Sequence, residues 1–147
     1  MSEIDFIFTV TAGRSGQAAL TEILRRHVPA CYAAFEEPNI KKQLPGVLGD
    51  WERILRRRFI ETHELLGRGQ VLKAFENEDI DYLKRIANLR IKTARRQLLK
   101  YEANVYFDVS KYFARGLHVG FANILPSFAL VRLVRDPLLN MRSFLNR

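Results

Sequence analysis

The sequence predicts an α/β fold, a parallel β-sheet with helices on both faces, from three observations. Residues 4–10 and 128–134 are short apolar runs of β-forming type, residues 104–109 (NVYFDV) alternate, and residues 31–35 supply a fourth short run. Helical patterns separate these runs at 16–27, 49–66, 79–101 and 111–124, with a last helix opening at Pro137. The chain has 147 residues and is 48% hydrophobic, enough for one core and too little for two. Strands that alternate with helices return in the same direction, so they pair in parallel and hold ligands beyond their carboxyl ends. Residues 1–147 are read as a single domain without repeats or low-complexity segments, NIKKQLPGVLGDW being the most loop-like stretch.

The first strand runs through TAGRSG directly into a helix. A glycine-containing turn in that setting aims backbone amides and the helix N-terminus at one point, which suits an anion. Gly13 and Gly16 remove side chains where the backbone must come close, and Arg14 adds a fixed charge with planar donors. The pattern GxxxxGK[ST] is missing, which argues against a nucleotide triphosphatase. In the long helix, Leu83, Ile86, Ala87, Ile91, Ala94 and Leu98 recur at helical spacing. Lys84, Arg85, Arg90, Lys92, Arg95, Arg96 and Lys100 are read as its basic outer face, with no acid between Tyr82 and Tyr101. The last strand ends at Arg135, Asp136 suits a helix cap, and Pro137 suits the first helical turn. Ser143 follows Asp136 by seven residues, about two turns, so its hydroxyl returns to the same side and can share a phosphate with Arg135.

Composition narrows the partners. Lys and Arg number 24 against 16 Asp and Glu, a net charge of +8 that favours phosphates, sulfates, acidic sugars or nucleic acid. No apolar run approaches the length of a membrane span, and the start MSEID is unlike a secretory signal, so the expected compartment is the cytoplasm. The lone Cys31 forms no internal disulfide and is expected in the core. His27, His63 and His118 form no cluster with metal-ligand spacing, so no metal is expected.

The turn around Arg14 and the RDP segment with its serine together resemble the sulfotransferase family, in flavour its carbohydrate-type and bacterial members. These enzymes have a P-loop nucleotide-hydrolase-like fold and move a sulfuryl group from 3′-phosphoadenosine-5′-phosphosulfate to a hydroxyl or amine. In that family a basic residue, Ser-Gly and two hydroxyl residues after the first strand bind the 5′-phosphosulfate; the matching positions here are Arg14, Ser15, Gly16, Gln17 and Ala18. The family's 3′-phosphate site is a strand ending in Arg-Asp-Pro with a serine eight residues after the arginine, matching Arg135, Asp136, Pro137 and Ser143. AFEEPN and YFDVSKYFARGL are also similar to such members. The resemblance implies Glu37 as the general base, with Glu36 as the near alternative. Arg14 would stabilise the leaving phosphate, and Ser110 and Lys111 would stand at the acceptor side. It implies a small-molecule or carbohydrate acceptor rather than a nucleic acid, and no metal.

Two departures from the family pattern shape the expectation. Gln17 and Ala18 stand where relatives carry hydroxyls. Each hydrogen bond lost to a charged group costs about 1.5–3 kcal/mol, so one or two losses weaken donor binding by roughly tenfold to several-thousandfold. Family members are also longer, so the chain is expected to be a short or C-terminally truncated member, completed by a missing segment or by a homo-oligomer. The alternative function is a catalytically silent sulfotransferase-like module that binds an acidic ligand or a protein partner through the basic helix.

Overall fold

The computed structural model describes residues 4–11, 14–35, 44–56 and 68–145. Four strands, β1 (Asp5–Val10), β2 (Cys31–Ala34), β3 (Val105–Asp108) and β4 (Ala129–Arg132), form one parallel sheet in the order β2-β3-β1-β4. The pairing registers set Phe8 opposite Asp108 on one side and Leu130 on the other, and Asp108 opposite Ala34. The helices are α1 (Gln17–His27), α2 (Gly46–Arg56), α3 (Arg68–Glu76), α4 (Ile80–Lys100), α5 (Leu117–Ile124) and α6 (Pro137–Leu145). The chain leaves β1 toward β2 through α1 and leaves β3 in the opposite direction toward β4 through α5. Right-handed crossovers therefore put α1 and α5 on opposite faces.

The core lies between the sheet and the α4–α5 layer. Phe6 and Phe8 of β1 and Tyr106 of β3 meet Leu83, Ile86, Ala87, Ile91, Ala94 and Leu98 of α4 and Leu117 and Phe121 of α5. Phe8 is the centre of an aromatic cluster, with ring centroids 4.4 Å from Phe121, 4.8 Å from Phe113 and 5.7 Å from Phe128. Such stacked, tilted and edge-on pairs add stability beyond the area they bury. Asp79 caps α4 by accepting the Tyr82 amide at 3.0 Å. Below it α4 and α5 come close enough that only hydrogen fits at Gly120: a Cβ there would collide with the Leu83 carbonyl.

Several expected elements differ in detail. The expected helix 49–66 starts earlier, at Gly46, and its described part ends at Arg56; residues 57–66 lie outside the described set. The sequence reading missed α3, whose described inward residues are only Val71 and Ala74, too few to raise a helical period. The expected helix 111–124 is a short 3₁₀ turn, Phe113–Arg115, followed by α5. The break falls at Gly116, which has φ 111°, a left-handed conformation that glycine adopts without strain. The last strand is shorter than 128–134 and exposed along its length. Arg90, read as part of the outer basic face, is turned inward and buried. Cys31 is only partly buried, and that burial pushes its thiol pKa up.

The close approach at Gly120 gives a stability prediction. Gly120→Ala should force α5 away from α4 and destabilise the protein by about 1–3 kcal/mol, read as a lower urea midpoint with an unchanged slope.

Candidate functional site

At the carboxyl ends of β1 and β3 the chain diverges to opposite faces, which opens a crevice. Thr9 fastens its floor: the hydroxyl meets the Asp108 carbonyl at 3.1 Å and the Ser110 carbonyl at 3.2 Å. On the β1 side Arg14 has φ 51° and Gly16 has φ 91°, so the turn winds through two left-handed residues before α1 begins. Gly16 brings no side-chain cap and the first turn of α1 holds no acid, so its leading amides are open to an anion.

The turn is held from the far end of the chain. Arg14 Nε donates to Ser143 Oγ at 3.0 Å, and Arg135 donates through a terminal guanidinium nitrogen to the Arg14 carbonyl at 3.1 Å. Asp136 caps α6, accepting the Leu139 amide at 3.0 Å. Arg14, Arg135 and Ser143 thus come together across more than 120 residues of sequence, with Ser143 seated on Arg14. Beside them lies a cavity of about 240 Å³, lined among others by Thr11, Ser15, Arg132, Arg135 and Asn140. The sequence reading did not single out Arg132 or Asn140. Asn140 Oδ1 is buried without a hydrogen-bond partner among the described residues. An amide flip at that side chain would offer its nitrogen instead.

The remaining expected residues divide. Ser15 is buried in the wall of the cavity, Gly16 and Ala18 are exposed, and Gln17 is buried at the first turn of α1. Gln17 Nε2 has no hydrogen-bond partner among the described residues, so a donor waits there in a buried place. Ser110 is fully buried just beyond β3, its hydroxyl likewise unpartnered, while Lys111 is half-buried. Gly13, Glu36, Glu37 and His63 lie outside the described residues.

The sequence reading also missed the strongest electrostatic feature. Asp108, the last residue of β3, accepts from Arg90 of α4 at 2.9 Å, both side chains being buried. Burial works against the Arg90 charge. The Asp108 carboxylate, through charge and hydrogen bond, outweighs it with help from Tyr106 and Tyr112, so the guanidinium holds its proton more tightly than usual. The signal was present in the sequence: Arg90 stands four residues after Ile86 and four before Ala94, on the apolar stripe of the helix. The chain matches no protein-family model, no curated protein and no solved structure.

Breaking this pair should be costly, while replacing it whole should not. Asp108→Ala leaves a buried guanidinium uncompensated and should destabilise the protein by about 3–5 kcal/mol. Joining Arg90→Met to Asp108→Leu should recover most of that loss in the same denaturation experiment.

Proposed function

We propose that the crevice binds a nucleotide carrying two separated phosphates and serves as the donor site of a sulfotransferase. The observation that carries this reading is the contact of Arg14 with both Ser143 and Arg135, which joins the strand-to-helix turn and the RDP segment into one cationic place. The residues fit the ligand. One phosphate group would be held by the leading amides of α1, by Arg14 and by the buried amide of Gln17, and the other by Arg135 and Ser143. Gln17 then supplies a donor where relatives use a hydroxyl, and Ala18, which is exposed, supplies none.

Bound 3′-phosphoadenosine-5′-phosphosulfate would supply an activated sulfuryl group. The acceptor oxygen bonds to sulfur as the bond from sulfur to the bridging phosphate oxygen breaks. The acceptor proton passes to a carboxylate, for which Glu37 is the expected residue and Glu36 its alternative. Arg14 steadies the negative charge that grows on the departing phosphate and gives up no proton to it. The Arg90–Asp108 pair supports this chemistry over magnesium-dependent nucleotide hydrolysis, because a guanidinium already engages the buried carboxylate at the end of β3.

A second reading, a silent module for an acidic ligand, draws on the outer face of α4. Lys92, Arg95 and Arg96 are exposed there without an ion-pair partner among the described residues. Lys92 and Arg96 are like charges one turn apart, an arrangement that costs helix stability.

Calorimetry separates the two. The spent donor, 3′,5′-adenosine bisphosphate, should bind the wild-type chain, and Arg135→Ala should weaken binding by roughly 10- to 150-fold through loss of a charge-assisted hydrogen bond. Arg135 is exposed, so the fold should survive the change. Adenosine 5′-monophosphate, which lacks the 3′-phosphate, should lose less affinity on the same change, since only the support that Arg135 gives the Arg14 turn is then removed. Binding of the bisphosphate that ignores Arg135 yet falls in Arg95→Ala/Arg96→Ala would favour the second reading.

A further inference from the structure

The two edges of the sheet are finished differently. The outer edge of β2 is guarded. The Ala30 and Ala34 carbonyls accept the amides of Val105 and Val109 on the β3 side, so the alternation of a strand turns the Ala33 carbonyl outward. There α1 packs against β2, and Arg25 donates to that carbonyl from Nε at 3.1 Å and from a terminal nitrogen at 2.9 Å. The outer edge of β4 is bare: among the described residues no strand lies beyond it in the sheet, and all four of its residues are exposed. The Leu133 amide donates to the Val10 carbonyl at 3.1 Å, so Val131 and Leu133 turn their backbone groups toward β1, and Leu130 and Arg132 turn theirs outward. Edges are ordinarily blunted by proline, by charge or by a covering element, and the sequence ALVR has only Arg132 for this.

The backbone selects what covers this edge. Amides and carbonyls at strand spacing are satisfied by another extended strand, which a merely apolar surface cannot replace. In a second copy the guarded β2 edge is closed to such pairing, which leaves β4 against β4 about a two-fold axis, an antiparallel contact that closes on itself. With Val131 on the axis, each Leu130 exchanges both its backbone hydrogen bonds with the partner's Arg132, and neither Arg132 stands directly opposite its counterpart. The flank also supplies area. Leu130, Val131, Val134, Leu138, Met141 and Leu145 are between 37% and 79% exposed. The last three fall within an arc of about 60° on α6, opposite Ser143 and its contact with Arg14. Side chains of this size carry roughly 60–120 Å² of apolar surface each, so the flank offers on the order of several hundred Å² toward the about 800 Å² that each partner buries in a stable interface. We infer that the β4 edge is a self-association surface, through which two copies join their sheets by antiparallel pairing of β4 with β4. The inference does not rest on the nucleotide reading, since the backbone of β4 carries it.

Sedimentation of the full chain should show a monomer–dimer equilibrium that added salt strengthens, because two copies of net charge +8 repel one another until screened. Amide exchange followed by nuclear magnetic resonance should find Val131 and Leu133 protected throughout, and Leu130 and Arg132 protected only in the dimer. Leu130→Pro removes an outward donor and leaves the β1 ladder whole. It should keep the wild-type circular dichroism and weaken the dimer about 5- to 150-fold through loss of one hydrogen bond from each copy. Leu130→Lys keeps every backbone donor and sets a charge opposite the partner's Arg132, so it should weaken the dimer roughly 2- to 30-fold. The inference is overturned if the chain stays monomeric in high salt up to about 1 mM. A dimer whose dissociation constant ignores Leu130→Lys seats the contact elsewhere and equally overturns it. So does protection of the Leu130 and Arg132 amides in the dilute monomer, which assigns the edge to a segment of the same chain.

Discussion

The parallel pairing of β1 with β3 is the constraint on which the rest of the structure depends. The two strands lie side by side, yet the chain leaves their carboxyl ends toward opposite faces of the sheet. A right-handed crossover from each accounts for this separation, and the gap between the departing segments becomes the crevice. Keeping the strands together at that point requires polar contacts, because each backbone is leaving the ladder. Thr9 supplies them by spanning the carbonyls of Asp108 and Ser110. Behind the strands, the cluster around Phe8 and the tight seat of Gly120 against Leu83 give the sheet a rigid back.

Charge is distributed unevenly about this crevice, and the asymmetry suits an anion. Among the described residues, Asp108 is engaged by Arg90 and Asp136 accepts from the Leu139 amide in the first turn of α6. Arg14, Arg132 and Arg135 are gathered near the cavity, and the amides at the start of α1 add a partial positive charge. Cations so grouped repel one another until an anion arrives. The Arg90–Asp108 pair therefore matters beyond stability: with Asp108 engaged, the buried end of β3 offers little negative charge to compete with a bound phosphate.

Much of this was legible in the sequence, and the misses have physical reasons. The four strands, the helices α1, α4 and α5, the Asp136 cap and the Pro137 start of α6 all follow from local rules that a single chain displays. Ser143 is expected from the count of two turns to share a phosphate with Arg135, and in the structure its hydroxyl accepts from Arg14, because register between distant segments is a tertiary property. The strand order β2-β3-β1-β4 is tertiary for the same reason. Arg90 was misread through residue type: an arginine on an apolar stripe reads as surface until a buried carboxylate answers it. Asp108, an acid ending an apolar strand, was that answer, and it was visible in NVYFDV.

The contact between Arg14, Ser143 and Arg135 also implies a linkage between binding and docking. Arg14 sits in the left-handed region, which costs a residue with a side chain roughly 1–2 kcal/mol. The hydrogen bonds that hold it there come from Arg135, just after β4, and from Ser143 of α6. Short helices of this length have little intrinsic stability and persist by docking. The turn thus keeps its anion-binding shape while α6 is in place, and α6 gains an anchor from the turn through Ser143. An anion that binds the ordered arrangement in preference to the open one must stabilise both, so ligand affinity and the docking of α6 are two readings of one equilibrium.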